Sequence, residues 1–513
     1  MLQKLHSSCS KSLNFLALLV AIFLFCANMF FRVEISYDVS EYVNIYNNVW
    51  KNCLVLVFVV IIIFFFHLCQ KHIWKINQWR LFAVLSLVYM LCAAYLIHNS
   101  CNVLRADAKA VYKCSLLIKE YDYSCFQPSA YMYIYPHQIG LMLFDRLVSC
   151  FSENPSALFA VNTLLTIGIN FTSWQISKLL WQDSRVHLLT ILLNFMFIPQ
   201  LFFVMFAYGT IPGMLFLLIG IYNTIKYIKT YRFRNLLGLF VSLTISVLVR
   251  KNNLIGLCAV LIFLFLQWLK KKNWRIILTI ICLVVCVFGS SKAVLSFFEN
   301  RADVRLDNGI PSVLWIAMGT NIDNSMRGAG WYDGSSKKIY MNANSDASAA
   351  SAAGWEKLSN NIQKMKLRIP DTLRFFMNKI VSQWCEPLYQ SVWSGPSVSG
   401  VQETYTRFLQ SLYSGGTVEN CFETYCKGFS LLLWIGIVVY HLFLRKENGC
   451  EIATAYFIGG FLFHIIWEAK SQYIYPYIVC LIPIASRGIF SVIACMGKKG
   501  SVFGHKHILD KDA

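Results

Sequence analysis

Five charged side chains stand where an apolar chain can least accommodate them. Asp107 follows Arg105 in a polar stretch, Arg250 and Lys251 interrupt two long apolar runs, and Glu468 and Lys470 precede the last such run. A carboxylate such as Asp107 can accept the proton of an attacking hydroxyl as a general base. The three cations can hold an anionic oxygen, the guanidinium through two bonds at once and each ammonium as a point charge. Charge at the end of a membrane-length apolar run usually faces a partner, a cavity or water, and snorkelling is the plainer alternative for any one of these residues alone. His137 has no histidine partner at ligand spacing, so no metal site is expected.

The elements that must position these residues are membrane helices. Of the 513 residues 57% are hydrophobic and only 14% charged, against roughly 25% charged in an ordinary soluble domain. Apolar runs near the ~20 residues that span hydrocarbon are expected as spans at 12–31, 53–69, 81–99, 156–178, 186–207, 211–228, 235–249, 253–269, 276–295, 427–444, 450–467 and 472–495. The expected fold is thus an all-α polytopic membrane protein of about twelve transmembrane helices. Bulky Phe30, Phe31 and Arg32 replace a small-residue cleavage site, so the first run is read as an uncleaved span.

The formal charge of +20 is concentrated in short loops. With both termini in the cytoplasm, the inner loops hold Lys71, Lys75 and Arg80; Lys226, Lys229, Arg232 and Arg234; Lys270, Lys271, Lys272 and Arg275; Arg445 and Lys446; and Lys498, Lys499, Lys506 and Lys511, as the positive-inside rule requires. That distribution argues against a nucleic-acid partner and for a multi-pass protein of the cell membrane. Three regions follow: 1–295, a transmembrane region with an outer loop at 100–155; 296–426, an extracytoplasmic domain; and 427–513, the C-terminal helices and a basic tail. Asp107, Arg250, Lys251, Glu468 and Lys470 then share one membrane face, where a single outward-facing cavity would gather them.

Within 100–155, Val111, Leu116, Leu117 and Ile118 alternate with Lys109, Lys113 and Lys119 as in a helix lying in the interface, and a second such piece runs from about Gln138 to Phe151. Tyr131, Tyr133 and Tyr135 fit an interfacial aromatic belt. In 296–426, GAGWYDG at 328–334 predicts a tight turn presenting Trp331 and Tyr332, suited to a sugar or to domain packing. Most cysteines sit inside apolar runs. Cys101, Cys114, Cys125, Cys385, Cys421 and Cys426 lie in polar segments and could pair in an oxidising compartment, with connectivity open. There is no GxxxxGK[ST], GxSxG, HExxH or paired CxxC motif. No internal repeat is visible, which weighs against a transporter built on symmetry.

This arrangement resembles the GT-C superfamily of integral-membrane glycosyltransferases, particularly bacterial enzymes similar to the dolichyl-phosphate-mannose protein mannosyltransferase group (family 39-like). The resemblance is a pattern over most of the chain rather than a strict motif. It is carried by Arg105, Ala106, Asp107 and Tyr112 soon after a span, by YPHQIG at 135–140, and by WEAKSQYIYPYIVCLIP at 467–483; GWYDG and QWCEPLYQSVW (383–393) look typical of a Gram-positive cell-wall subgroup. The family's acidic pair in this loop is absent, since Ala108 follows Asp107 and Asp122 lies well beyond, so either acid could be the functional one; Asp107 is preferred.

The resemblance implies a GT-C-like fold with interfacial helices in the first outer loop and a small extracytoplasmic domain. It implies transfer of a sugar, with inversion, from a polyprenyl-phosphate donor to a cell-envelope glycan, glycolipid or protein at the outer face. Asp107 would be the catalytic base, and Arg250, Lys251 and Lys470 would bind the donor phosphate. Arg105, Tyr112, Tyr135, His137, Gln138, Trp331, Glu468 and Tyr473 would line the substrate. No cofactor is expected, because the phosphate is already a leaving group. Two other classes remain open: a polysaccharide polymerase or ligase, distinguished by a change in polymer length, and a lipid-linked sugar flippase or transporter, which should carry charge at mid-membrane.

Overall fold

The computed structural model describes residues 2–36, 41–100, 103–307, 309–324, 327–395, 406–444 and 449–496. Cys101, Arg445, Lys446, Lys498, Lys499, Lys506 and Lys511 lie outside the described residues. In hydrocarbon every backbone polar group must be satisfied internally, which restricts apolar runs of this length to helices. In chain order the elements are α1 (Leu2–Phe30), β1 (Phe31–Ile35), β2 (Val43–Asn47), α2 (Val49–Ile73), α3 (Gln78–Asn99), α4 (Ala106–Leu117), α5 (Ile139–Ser149), α6 (Pro155–Leu180), α7 (Ser184–Met196), α8 (Thr210–Thr230) and α9 (Phe233–Val249). They continue with α10 (Leu254–Lys271), α11 (Trp274–Ala302), α12 (Ser312–Gly319), α13 (Ala347–Leu367), α14 (Ile369–Trp384), α15 (Thr417–Phe443), α16 (Glu451–Ile466) and α17 (Tyr475–Met496).

Among the described residues nine helices are long and apolar enough to cross a membrane: α1, α2, α3, α6, α8, α10 with the turn before it, α11, α15 and α17. The chain is a helical, multi-pass membrane protein. All twelve expected runs are helical, but α7, α9 and α16 are shorter apolar helices. The run at 186–207 is broken because Pro199 cannot continue a helix through Phe197 and Ile198; a separate short helix, Pro199–Phe203, follows. Buried Gln200 donates to the Asn194 carbonyl at 2.6 Å, which also accepts from Phe197 N, and to Asn170 Oδ1 at 2.9 Å, bridging the break.

Two close approaches fix the packing. α15 and α17 cross at Gly436 and Gly488, where a Cβ added to Gly488 would lie 1.8 Å from the Gly436 carbonyl oxygen. Gly140, at the start of α5, rests on the last turn of α9 so tightly that a Cβ there would sit 2.0 Å from the Leu248 carbonyl oxygen. The second contact seats α5 directly before Arg250.

Both helical pieces expected within 100–155 are present, as α4 and α5. Cys114 and Cys125 come together in one small core with Val111 and Phe126, both as free thiols. A hairpin unforeseen in the sequence reading joins α1 to α2: β1 and β2 pair antiparallel, Phe31 opposite Asn47 and Ile35 opposite Val43. The strict alternation in FRVEI puts Val33 and Ile35 in the interior and leaves Arg32 and Glu34 more open. The ends of the long segment between α11 and α15 also shift. α11 continues to Ala302, and α15 begins at Thr417, so both spans project beyond their expected limits of 295 and 427.

Candidate functional site

The polar end of the bundle gathers side chains from five distant parts of the chain. α4 opens at Ala106, whose φ of +46° is a left-handed conformation that costs an alanine roughly 1–2 kcal/mol. It delivers exposed Asp107 toward Tyr208, which lies between the short helix Pro199–Phe203 and α8. The Tyr208 hydroxyl accepts from Gln138 Nε2 at 2.7 Å and donates to Asp107 Oδ2 at 3.3 Å. Burial and the neighbouring Asp107 push this phenol well above its ordinary range, so it acts as a donor.

Arg250 ends α9 and is held by aromatic faces. Its Nη1 donates to the Tyr208 carbonyl at 3.0 Å, and its guanidinium carbon lies 4.6 Å from the Tyr208 ring centroid and 5.8 Å from that of Tyr473. One side of the guanidinium is thus anchored, leaving further N–H groups for an anion. Arg250, Asn253, Gln472 and Tyr473 line a small cleft with Thr210 and Tyr456. Lys251, one residue on, is exposed and lies beside His137.

Lys470 sits between two acids. Its Nζ is 3.2 Å from Glu41 Oε1 and 3.9 Å from Glu468 Oε1, while Tyr473 donates to Glu468 Oε2 at 3.2 Å. Burial alone would lower the lysine, but the Glu41 and Glu468 carboxylates outweigh it and hold the ammonium well above its ordinary range. Glu468, 4% exposed, is pushed up to about 7 by burial, against the pull of Lys470. Lys470 is also 5.9 Å from the Tyr332 ring centroid, and Asp107 is near enough to act on Lys470, Tyr332 and Tyr135 through its charge.

Backbone and buried polar bonds hold this turn in place. Ala469 N donates to the Gly330 carbonyl at 2.8 Å, pairing the GAGWYDG turn with the 467–473 segment. Glu386 accepts from Leu388 N, Gln390 N and Ser471 Oγ, and Gln390 in turn donates to Glu41 Oε1 at 3.3 Å.

The sequence-predicted residues therefore divide. Asp107, Arg250, Glu468, Lys470 and Tyr473 come together. Tyr135 packs 5.0 Å from Tyr131 and 6.0 Å from His137 at the edge of the same group. Gln138 is buried behind Tyr208 and reaches Asp107 only through that hydroxyl. Arg105 stacks 3.9 Å over Trp393 and donates to its carbonyl. Two expected lining residues are placed elsewhere. Tyr112 is buried and spends its hydroxyl on the Glu153 carbonyl at 2.6 Å. Trp331 is fully buried, donating to Ser382 Oγ at 2.9 Å, because the turn around it folds inward rather than presenting the ring; Tyr332 is the partly open aromatic. Asp122 is outside the cluster and caps a turn by accepting from Ser124 N at 2.8 Å.

Glu41, Tyr208 and Gln390 are the residues that the sequence reading missed. Only Glu41 had a signal, an acid in a short connection between two expected spans, and it was hidden by its small separation from them. No family model, no curated protein and no solved structure matches this chain.

Proposed function

We propose that this protein is an integral-membrane glycosyltransferase, transferring a sugar from a polyprenyl-phosphate donor to a cell-envelope acceptor at the outer face of the membrane. The observation that carries the reading is the Asp107–Tyr208–Arg250 chain: an accessible carboxylate and a half-anchored guanidinium share one tyrosine, and the guanidinium lines a small cleft. In the reaction Asp107 accepts the acceptor hydroxyl proton while that oxygen bonds to the anomeric carbon. The bond from that carbon to the phosphate oxygen breaks, and its electron pair leaves with the lipid phosphate. The growing negative charge falls to Arg250, with Lys470 contributing through a field already partly balanced by Glu41 and Glu468. Lys251, exposed at the rim, steers the anionic donor.

Asp107→Asn keeps the volume and removes the base. The variant is expected to insert and accumulate normally while transfer falls by roughly 100-fold to 10,000-fold, the usual contribution of a positioned base. Mass spectrometry of envelope glycans from cells carrying each form reads the outcome as loss of one sugar. Undiminished decoration in the variant would remove Asp107 from the reaction.

A further inference from the structure

α14 carries three faces, and one of them is uncovered. Phe375, Lys379 and Ser382 turn inward, where Lys379 donates to the Gly319 carbonyl and Ser382 accepts from Trp331. Asp371, Arg374 and Asn378 make a polar flank. The third face, Ile369, Leu373, Phe376 and Ile380, recurs at helical spacing as one apolar stripe.

The lower end of this stripe lies inside the transmembrane bundle. Ile380 packs on the transmembrane core, and one turn further Trp384 lies 6.0 Å from the Tyr477 ring, 5.6 Å from Phe457 and 5.7 Å from Phe461. The upper end is bare. Leu373 is 64% exposed and Ile369 60%, with Leu367 at the corner 84% exposed; on α13 Trp355 is 62% and Ile362 43% exposed. Charge at the edge is basic. Lys364 and Arg368 are taken up by Asp323, each at 2.7 Å, whereas Lys366 and Arg374 are exposed and make no ion pair among the described residues.

We propose that α13 and α14 form a hairpin seated in the membrane interface, with Ile362, Ile369 and Leu373 among the acyl chains and Lys366 and Arg374 on anionic headgroup phosphates. Charge selects lipid over a protein partner: the exposed Lys366 and Arg374 flank the bare apolar side chains as headgroup phosphates require. α14 thus has lipid on one face and the Trp331 turn on another, making the bilayer one wall support of the site. The inference stands on the apolar spans alone and does not depend on sugar transfer.

The test uses the full chain in nanodiscs of mixed phosphatidylcholine and phosphatidylglycerol, with p-benzoylphenylalanine replacing Leu373 or Ile362, or Gln363 as a water-facing control. Irradiation is expected to give several-fold more lipid adduct at 373 and 362 than at 363. Equal adducts at all three positions, or cross-linked protein dimers in place of lipid adducts, would overturn the proposal. Adducts at 373 should also over-represent phosphatidylglycerol relative to its share in the disc, and Lys366→Gln with Arg374→Gln should abolish that bias. Absence of the bias in the otherwise unmodified chain would overturn the headgroup assignment.

Discussion

At the scale of single residues, Glu468 changes charge near neutrality, as does Glu386, which burial also raises to about 7. Glu468 faces Lys470 and Tyr473, with Glu41 and Asp107 also acting on it, and burial raises its carboxyl to about 7 from an ordinary 4.5. The folded state therefore binds more proton than the unfolded chain between those values. Glu468's contribution to stability is full below about 4.5 and is lost as pH rises through 7. Glu468→Gln is expected to flatten that part of a melting-temperature series measured from pH 5 to 8 in detergent, and an unchanged slope would show that Glu468 does not titrate there. Activity should follow the same group. In the proposed transfer reaction a second carboxylate beside Lys470 would oppose the anionic donor above pH 7, so the KM for donor is expected to rise with pH in the parent protein and far less in Glu468→Gln. Glu41 has a different part: it holds Lys470 at 3.2 Å and is itself held by Gln390, a positioning role that no motif in the sequence reveals.

At the scale of elements, the narrowest joint is the crossing of α15 and α17. Gly488→Leu puts a branched side chain where even a Cβ would lie 1.8 Å from the Gly436 carbonyl oxygen. Separating the helices is expected to cost at least about 1–3 kcal/mol, the usual penalty of overpacking. Scanning fluorimetry and size-exclusion profiles of the purified variant read that loss, and a parent-like melting temperature would mean the helices do not meet there. Helices themselves were legible because apolar runs of membrane length have few alternatives. Their ends were less so. Pro199 announced the break after α7, but the run of apolar residues from 186 to 207 masked it; α15 starts early because its first turns, including buried Glu419, pack against protein rather than lipid. The exceptions to the charge rule at Arg250 and Lys470 were readable from position alone, whereas the inward fold of Trp331 and the Tyr112 bond to Glu153 depend on tertiary contacts that no local spacing encodes.

At the scale of the whole molecule, the candidate site requires the ends of α1, α3, α9 and α16 to lie at one end of the bundle, and the contacts among Glu41, Asp107, Arg250 and Lys470 satisfy this. Which aqueous side that end faces is a separate, measurable matter. With the termini inside, Asp107→Cys, Lys251→Cys and Gln363→Cys should each react in intact cells with a thiol reagent that cannot cross the membrane, above the background of the parent protein. Protection of all three with labelling only after permeabilisation would invert the chain and rule out an outer-face reaction. Labelling of only some would contradict the shared end.

The backbone pairing of Gly330 with Ala469 sets an order of events during synthesis. The carboxylate at 107 leaves the ribosome long before the segment that supplies Lys470, and the turn at 330 must wait for its partner strand before it can settle. No chain that stops short of Lys470 can therefore assemble the cluster of Glu41, Asp107, Arg250 and Lys470.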